Sequence, residues 1–432
     1  MSRPRVAIIV TGSELVRGER PDANGPFLAR ESVAHGLHPA RIVIVGDAAE
    51  DLRRALGGAL DADLVLTSGG LGPTHDDRTV EVVAEVTGRE LRVDAGLVAE
   101  IEDVSRRIAE RLRRPYADFE AGVRKQATVP DGALVVGLAG TAPGLALEHE
   151  SAVVVVLPGP PGELRRLWEA ARQVAPVRRV LERARPPGRH ELRVFGASES
   201  AVARALAEAG GDGDGVEATI CARDYEIHVD LLFDDAAAPR ADALADELAE
   251  RLAPYVFARE ARSVEEVVLA LCRARGLTLA TAESCTGGLV AARLTEVPGA
   301  SDVLLGGVVA YADSLKAVEL GVPQELLARH GAVSAEVAAA MARGACRRLG
   351  ADVAVAVTGI AGPGGGTDEK PVGLVHLHVS APDGERSSRL ELHGDRGAVR
   401  RRAAVTALHL VRRLLEQPVD VTLPAHGRRT PA

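Results

Sequence analysis

The sequence is poor in aromatic residues and in cysteine. Aromatic side chains make up 2% of the 432 residues and hydrophobic residues 46%, so packed cores must consist of Ala, Val and Leu, a composition that suits layered α/β folds. The four cysteines are scattered without a C-x-x-C spacing, which argues against a disulfide framework and a cysteine metal cluster. We therefore expect reduced thiols in a cytoplasmic protein.

Long apolar runs and basic tracts are also missing. No run approaches the roughly 20 residues of a membrane-spanning helix, and the first residues show no apolar core followed by a cleavage site. The formal net charge is −9 at pH 7, with arginine spread along the chain. We expect no binding to nucleic acid or membranes. Small molecules are the expected partners, and a homodimer is the default assembly.

Lysine is rare, which gives each lysine particular interest. The chain has 52 Lys and Arg residues, of which only Lys125, Lys316 and Lys370 are lysine. Arginine cannot be deprotonated in a protein, whereas a buried lysine can become a neutral amine. Lys316 is therefore a candidate base. For Lys370, in a Gly/Pro loop, catalytic and structural roles stay equally open.

Strand and helix patterns alternate in two long segments, residues 1–170 and 263–416. Repeated strand–helix–strand units with apolar strands predict a parallel sheet covered by helices. The fold class is therefore α/β, with two three-layer α/β domains. Residues 171–258 mix Arg/Pro-rich, Gly/Asp-rich and amphipathic stretches, and predict a small α+β connector module. Residues 417–432 are Pro-rich and predict a loose tail.

The first candidate site follows the strand predicted at residues 63–66, where open α/β sheets bind ligands. Glycines at this spacing can present backbone N–H groups to phosphate. The two aspartates that come next suggest a hard divalent cation such as Mg²⁺. Alternatively one aspartate caps the following helix, which leaves the other unexplained. The residues are Gly69, Gly70, Gly72, Pro73 and Thr74, followed by Asp76 and Asp77.

Two further carboxylates belong to the same predicted sheet edge. Asp47 lies two residues after the strand predicted at residues 41–45, and Glu163 follows the apolar strand at residues 153–157. Because the carboxyl ends of parallel strands meet at one edge, both could join the first site.

The second candidate site centres on Ser284, between a strand predicted at residues 277–280 and a helix starting at residue 289. A helix N-terminus there would offer unpaired backbone N–H groups and partial positive charge. Ser284 could be a nucleophile activated by Lys316, directly or through the Tyr311 hydroxyl. Alternatively, Ser284 only caps the helix.

Other residues could complete this site. Backbone N–H groups of Thr286, Gly287 and Gly288 could form an oxyanion hole. Cys285 is the second-ranked nucleophile, since no histidine lies near it in sequence to activate a thiol. His376 and His378 share a strand face without a third metal ligand, and we interpret them as structural.

A glycine-rich loop and two arginines could form the remaining walls. The loop at residues 358–366 follows the strand at residues 353–357 and is either a binding wall or a plain flexible loop. Arg396 and Arg400 share one face of a helix and could clamp a phosphate, although a solvated face is the more common role for either arginine.

The sequence around the first site resembles the molybdopterin-binding domain of the competence/damage-inducible CinA family. The resemblance implies hydrolysis of ADP-ribose at its pyrophosphate with a divalent cation (Mg or Co) and possibly potassium; a molybdopterin ligand is the older interpretation. Gly137-Leu138 departs from the Asn-Pro usual there. The matching segments are Gly12–Gly18, Gly69–Thr79, Gly140–Gly144 and Pro158–Glu163. The implied metal residues are Asp76, Asp77 and Glu163, and the implied nucleotide and phosphate residues are Glu14, Asp47, Gly69, Gly70, Gly72, Pro73 and Thr74.

The second site is similar to the C-terminal domain of the same family, a nicotinamide mononucleotide deamidase that needs no cofactor. The resemblance implies catalysis by Ser284, Tyr311 and Lys316. Position 313 is usually Asn and is Asp313 here. The matching segments are Ala282–Gly288, Tyr311–Lys316, Gly331–Ser334, Thr358–Gly364 and Lys370–Gly373. The implied substrate-binding residues are Thr286, Gly287, Gly288, Thr358, Gly359, Ala361, Gly362, Arg396 and Arg400. The alternative is a non-catalytic molybdopterin- or nucleotide-binding protein or a competence accessory protein.

Overall fold

The structure, a computed structural model, describes residues 3–416. The chain forms two compact units, and their boundary in the sequence lies between Pro187 and Gly188. This boundary lies later than the one expected after residue 170. The reason is a helix at Ala175–Glu182, which buries Val177 and Val180 in the core of the first unit. The predicted tail, residues 417–432, lies outside the described residues.

The first unit is built on a six-stranded sheet with the order β2-β1-β3-β8-β7-β6. Strands β2, β1, β3 and β8 are parallel, whereas β7 and β6 are antiparallel. The parallel sheet expected from the alternation is therefore mixed, because a hairpin adds its two strands at one side. The elements are β1 Arg5–Thr11, α1 Ser13–Val16, α2 Asn24–Ala34, β2 His38–Val45, α3 Ala49–Gly57, β3 Leu64–Ser68, α4 Thr79–Val86, β4 Leu91–Val93, α5 Ala95–Leu112, α6 Ala117–Gln126, β5 Thr128–Pro130, β6 Leu134–Leu138, β7 Pro143–His149, β8 Ala152–Leu157, α7 Pro161–Ala171 and α8 Ala175–Glu182.

Strand β1 shows how the sheet separates two cores. Ala7 and Ile9 pack with α3, α4 and α5, whereas Val6, Ile8 and Val10 pack with α2, α7 and α8. Successive side chains of a strand point to opposite faces, so an all-apolar strand needs helices on both sides. This confirms the predicted three-layer arrangement for the first unit.

The second unit holds a four-stranded sheet, β10-β11-β9-β12, and a five-stranded sheet, β14-β13-β15-β16-β17. In the larger sheet β14, β13 and β15 are parallel, and β16 and β17 are antiparallel. The elements are β9 Gly188–Val194, α9 Glu199–Glu208, β10 Val216–Arg223, β11 Glu226–Phe233, α10 Ala238–Arg251, β12 Val256–Ala258, α11 Val264–Arg275, β13 Leu279–Glu283, α12 Leu289–Thr295, β14 Leu304–Val309, α13 Asp313–Leu320, α14 Gln324–His330, α15 Ala335–Leu349, β15 Val353–Gly359, β16 Leu374–Ala381, β17 Gly384–Glu391 and α16 Arg396–Leu415.

The larger sheet also separates two cores, and its residue sizes explain how a chain poor in aromatics fills them. Val355 and Val357 of β15 pack with α11, α12 and α16, while Ala354 and Ala356 pack with α15. The alanines let α15 lie close to the sheet. The smaller sheet is covered by α9 and α10 around its own core. The predicted small α+β module and the second three-layer α/β domain are thus confirmed.

Helix α16 is important for the site because its N-terminus is fixed. Asp395 accepts a hydrogen bond from the Ala398 N–H at 2.7 Å, which is how aspartate caps a helix. Val399, Ala403 and Leu408 on its buried face belong to the core of the domain. Within residues 3–416, no helix combines the length and apolarity needed to cross a membrane.

Candidate functional site

Ser284 is the first residue after β13, and it lies in a five-residue turn before α12. The strand runs to Glu283, three residues further than predicted, and the Ser284 N–H donates to the Val357 carbonyl of β15 at 2.8 Å. Gly287 and Gly288 close the turn with φ of +62° and +92°, a conformation that glycine adopts without steric cost. The turn therefore holds Ser284 at the sheet edge, and the expected position at a helix N-terminus is wrong.

Glu283 occupies that helix N-terminus. Its side chain is fully buried, and its two carboxylate oxygens accept hydrogen bonds from the N–H groups of Val290 and Ala291 at 3.0 and 2.9 Å. A carboxylate at this position satisfies otherwise unpaired donors and interacts favourably with the helix dipole. The alternative that Ser284 caps the helix is therefore wrong, because Glu283 takes that role.

The backbone N–H groups expected to form an oxyanion hole differ in availability. The Gly287 N–H donates to the Ser284 carbonyl at 3.1 Å. Within residues 3–416 the N–H groups of Thr286 and Gly288 have no hydrogen-bond partner, and the buried Thr286 hydroxyl has none either. Donors for a ligand are thus present on both sides of Gly287.

Lys316 is 1% exposed, and its partners are the first residue of its own helix and a residue just before that helix. Its Nζ lies 3.1 Å from Asp313 Oδ1 and 3.4 Å from the Tyr311 carbonyl oxygen. The Tyr311 hydroxyl instead accepts a hydrogen bond from Arg396 at 2.6 Å. In the structure, therefore, Tyr311 does not bridge Ser284 and Lys316 through its hydroxyl.

Arg396 and Arg400 reach into the site from the first turns of α16. Arg396 donates to the Gly362 carbonyl at 2.8 Å, and Arg400 donates to the Thr286 carbonyl at 2.8 and 3.3 Å. The two side chains share a face, as their spacing predicts. They link the turn after β13, the Tyr311 segment after β14 and the loop after β15, so the carboxyl ends of three parallel strands meet beneath one helix N-terminus.

The loop after β15 is fixed at both ends. Thr358 is fully buried and donates through its hydroxyl to the Ala332 carbonyl at 2.8 Å. Lys370 donates to the carbonyls of His330 and Val333 at 2.5 and 2.8 Å. Of the two roles left open for Lys370, the structure supports the structural one. Gly359 is the last residue of β15, and Ala361 and Gly362, both buried, lie in the loop that follows it.

Cys285 and the two strand histidines have environments that argue against catalysis. Burial raises the pKa of the Cys285 thiol to about 12, so a thiolate at neutral pH is disfavoured. Burial lowers the pKa of His376 and of His378, and His378 Nδ1 lies 2.7 Å from the Ser387 hydroxyl. The interpretation of these histidines as structural agrees with these contacts.

In the first unit, the predicted phosphate turn lies between β3 and α4. Gly69 and Gly70 have φ of +100° and +67°, and the buried Thr79 hydroxyl donates to the Gly69 carbonyl at 2.8 Å. A side chain at Gly69 would overlap the backbone of Thr11, 2.5 Å away. Glycine is therefore required where β1 and this turn approach each other.

Asp76 and Asp77 converge on Thr74. The Thr74 hydroxyl is hydrogen-bonded to both carboxylates, and the Thr74 N–H donates to Asp77 at 3.0 Å. The hydrogen bond from Thr74 lowers the pKa of Asp76. Lys125, which the sequence did not connect with this site, donates to the Thr74 carbonyl. Neither aspartate caps α4, whose N-cap residue is Arg78 without a side-chain cap hydrogen bond.

Asp47 and Glu163 have other partners. Asp47 accepts hydrogen bonds from Thr11 and Ser13, at 3.2 Å and at 2.5 and 3.0 Å respectively. Burial raises the pKa of Glu163, whose carboxylate lies against Gly140. Within residues 3–416 no group of three or more His, Cys, Asp or Glu side chains could hold a metal ion. The expected three-carboxylate set of Asp76, Asp77 and Glu163 is therefore not formed.

A cavity of about 570 Å³ lies at the carboxyl ends of β1, β3 and β8, and Glu14 is in its lining. Asn24, which the sequence did not mark, is buried here and donates to the Ser68 hydroxyl at 2.9 Å and to the Gly159 carbonyl at 2.7 Å. Asn24 thus joins the start of α2, the end of β3 and the segment after β8. The sequence signal that could have indicated Asn24 is its position in a polar turn, two residues after Asp22.

A second cavity, of about 590 Å³, lies in the second unit between the small module and the N-terminal part of the larger domain. Its lining is charged, and many of these charges neutralise one another, as Arg193 does with Glu191 at 3.1 Å and Arg293 with Glu265. Ser284, Tyr311 and Lys316 are not in this lining. This cavity is therefore separate from the predicted amidase site.

The chain matches two family models, the probable molybdopterin binding domain over residues 7–175 and the CinA C-terminal domain over residues 261–415. Fold and sites therefore define a protein in which these two α/β domains follow each other, joined by an α+β module. A CinA-like protein from Mycobacterium sp. (strain JLS) is 45% identical over 421 residues, which cover 95% of this chain and 99% of the relative. The chain belongs to the CinA-like protein family.

Similar proteins also include a second curated relative and a solved structure. A CinA-like protein from Mycobacterium tuberculosis (strain ATCC 25177 / H37Ra) is 44% identical over 421 residues, covering 95% of this chain and 97% of the relative. Among solved structures, the competence/damage inducible protein CihA from Agrobacterium tumefaciens is 43% identical, covers 37% of this chain and 100% of its own, and has a TM-score of 0.35.

Proposed function

We propose that the C-terminal domain is an amidohydrolase that converts nicotinamide mononucleotide to nicotinate mononucleotide and ammonia. The observation that carries this proposal is that Arg396 and Arg400 link the turn that contains Ser284, the Tyr311 segment that precedes the buried Lys316, and the loop after β15, at the carboxyl ends of three parallel strands. A nucleophile, a basic side chain, backbone donors and two guanidinium groups suit an amide substrate that also carries a phosphate.

In the proposed reaction, Ser284 Oγ attacks the carboxamide carbon and its proton passes to the amine of Lys316. The carbonyl oxygen becomes an oxyanion that the N–H groups of Thr286 and Gly288 can stabilise. The carbon–nitrogen bond then breaks, the proton moves from Lys316 to the leaving nitrogen, and ammonia departs. Water attacks the resulting serine ester, which releases nicotinate mononucleotide and restores the hydroxyl of Ser284.

The arginines would bind the phosphate of the nucleotide. Arg396 and Arg400 each donate to a backbone carbonyl in the structure, yet a guanidinium group has five N–H donors. Enough donors are left for phosphate oxygens. Asp313 affects the proposed base, because Lys316 must be in its amine form to accept the serine proton, so the ammonium group that pairs with Asp313 first has to release a proton to water.

For the first unit we propose hydrolysis of a nucleoside diphosphate sugar at its pyrophosphate, with ADP-ribose as the substrate. The supporting observation is the convergence of Asp76 and Asp77 on Thr74 beside the Gly69–Gly72 turn. Magnesium is usually held by one or two carboxylates together with substrate phosphates, so two aspartates fit a divalent cation (Mg or Co) better than a protein-only site of three carboxylates. A bound cation would neutralise pyrophosphate charge there. Potassium remains a prediction of the resemblance.

The competing function is a non-catalytic one, either binding of a molybdopterin or nucleotide or an accessory role in competence. Ammonia release from nicotinamide mononucleotide by the purified chain, with EDTA present, separates the two. We expect turnover, because no step of the proposed amidase reaction uses a metal. A folded protein that binds the nucleotide without releasing ammonia would favour the non-catalytic function.

A further inference from the structure

The turn between β10 and β11 breaks a rule of local structure. Arg223 and Glu226 pair across the hairpin, so Asp224 and Tyr225 alone form its turn. Both have left-handed backbone, with φ of +51° and +67°. Tight hairpin turns of this kind favour Asn and Gly, and a bulky residue with positive φ is a real outlier. A tyrosine here indicates that its side chain has a use that offsets the strain.

Three successive residues of this hairpin tip contact the amidase domain. Asp224 forms an ion pair with Arg293 at 2.5 Å. The Tyr225 hydroxyl donates to the Ala398 carbonyl at 3.2 Å. The hairpin tip is defined here as residues 224–226, and its third member, Glu226, lies 2.8 Å from His409 Nε2.

The elements reached by the hairpin tip are those that carry the candidate site. Arg293 belongs to α12, which starts directly after the Ser284 turn. Ala398 lies in the first turn of α16, between the two arginines of the site, and Arg402 of the next turn lies over the Tyr225 ring at 5.7 Å. The tip therefore touches both helices that border the site.

We propose that the hairpin tip of the small module is a positioning element for the amidase site. By holding α12 and the first turn of α16, Asp224 and Tyr225 fix the Ser284 turn relative to Arg396 and Arg400. The proposal gives the small module a role in substrate binding, and it rests on the proposed amidase function. Its effect should fall on nucleotide binding, because the tip contacts neither the nucleophile nor Lys316.

The first test is Tyr225→Phe, which removes only the hydroxyl that bonds Ala398. We expect KM for nicotinamide mononucleotide to rise roughly fivefold, the equivalent of one hydrogen bond, with kcat little changed. Tyr255→Phe is the matched control: Tyr255 is also 38% exposed and in the same unit, and its hydroxyl has no hydrogen-bond partner among residues 3–416. An unchanged KM in Tyr225→Phe and in Asp224→Asn would overturn the proposal.

Tyr225→Gly separates positioning from folding stability. Glycine relieves the left-handed strain but also removes the contacts of Tyr225 with Ala398 and Arg402. If the tyrosine serves folding stability alone, Tm falls and KM stays unchanged. Positioning predicts a raised KM and faster hydrogen exchange in peptides covering residues 396–404, whatever the change in Tm. Absence of turnover in the wild type would refute the amidase function but not the positioning role. In that case, faster hydrogen exchange of residues 396–404 in Tyr225→Gly would still support the hairpin tip as a positioning element. Unchanged hydrogen exchange would reject it.

Discussion

Lys316 and Glu283 are charged side chains with almost no exposure, at 1% and 0%, so each needs partners inside the protein. The rarity of lysine in the sequence is enough to indicate Lys316. Nothing comparable marks Glu283, because its partners lie seven and eight residues further along the chain and become neighbours only when the turn folds back. The sequence could therefore identify one of the two buried charges at this site.

Replacing Asp313 by Asn tests the coupling of the base to its neighbour. Asn keeps the shape and accepts a hydrogen bond from Lys316, but it lacks the negative charge that pairs with the ammonium form of Lys316, the form that cannot accept the serine proton. We expect kcat at pH 7 to rise roughly two- to fivefold, the range of a partly exposed ion pair, with KM unchanged. Asp313→Ala, which removes the hydrogen bond as well, is the comparison. Equal losses of kcat in both variants would contradict this expectation, because they would show that the carboxylate of Asp313 helps catalysis.

Among the elements, most helices and strands could be predicted, because their apolar periodicity matches the faces they bury. Helix α11, for example, buries Val268, Leu269 and Cys272, which share one helix face at this spacing. Strand β13 was predicted too short, since Thr281 to Glu283 lack an apolar pattern. Pairing with β14 on one side and β15 on the other extends β13 to Glu283. Because of this tertiary contact, Ser284 lies directly after the carboxyl end of the strand and not at the start of the helix.

The start of α12 is the element that depends most on one side chain. Glu283→Ala would leave the N–H groups of Val290 and Ala291 without their buried acceptor, at a cost of roughly 2 kcal/mol or more in the free energy of unfolding. Urea denaturation measures this loss. Glu296→Ala, at an exposed position in the same unit, should change stability by no more than about 0.5 kcal/mol. Similar small changes in both variants would contradict the capping role.

Helix α16 should make the second unit sensitive to acid. Burial lowers the pKa of His409 to about 4. Burial alone would raise the pKa of Glu226, but hydrogen bonds from His228 and His409 outweigh it and lower that pKa. A histidine with a depressed folded-state pKa stabilises the fold fully above about pH 6.5, and this contribution is lost as the pH falls toward 4.

The expected size of this His409 contribution is on the order of 3 kcal/mol. Thermal midpoints measured between pH 7 and pH 4 should fall less steeply for His409→Gln, which cannot take up a proton, than for the wild type. Equal slopes would show that His409 does not titrate in this range.

For the whole molecule, sequence patterns predicted the α/β class and the three parts, because each part repeats its own periodicity. The boundary of the first domain was predicted too early, because α8 packs into the first core although its Arg/Pro-rich sequence does not indicate this. Three carboxylates were predicted to hold a metal ion. One of them, Glu163, instead lies against Gly140. A homodimer and a cytoplasmic location stay predictions.

Two independent active sites are expected in the whole chain. EDTA should abolish ADP-ribose hydrolysis and leave ammonia release from nicotinamide mononucleotide unchanged. Asp77→Asn should lower ADP-ribose hydrolysis at least about tenfold, since loss of a group that only orients a metal ligand already commonly costs about 10- to 100-fold, and it should not affect the amidase. Both activities are measured on the same preparation. Loss of both activities in EDTA would contradict the assignment of separate chemistry to the two units.

The central claim is that Ser284 is the nucleophile of an amidase, and a comparison of Ser284→Ala with Cys285→Ala tests it most directly. Ammonia release from nicotinamide mononucleotide is measured for each variant, with folding checked by thermal denaturation. We predict a loss of at least about 10³-fold in Ser284→Ala, because the covalent step is removed, and near wild-type turnover in Cys285→Ala, whose buried thiol has a pKa raised to about 12. The reverse pattern would contradict this claim.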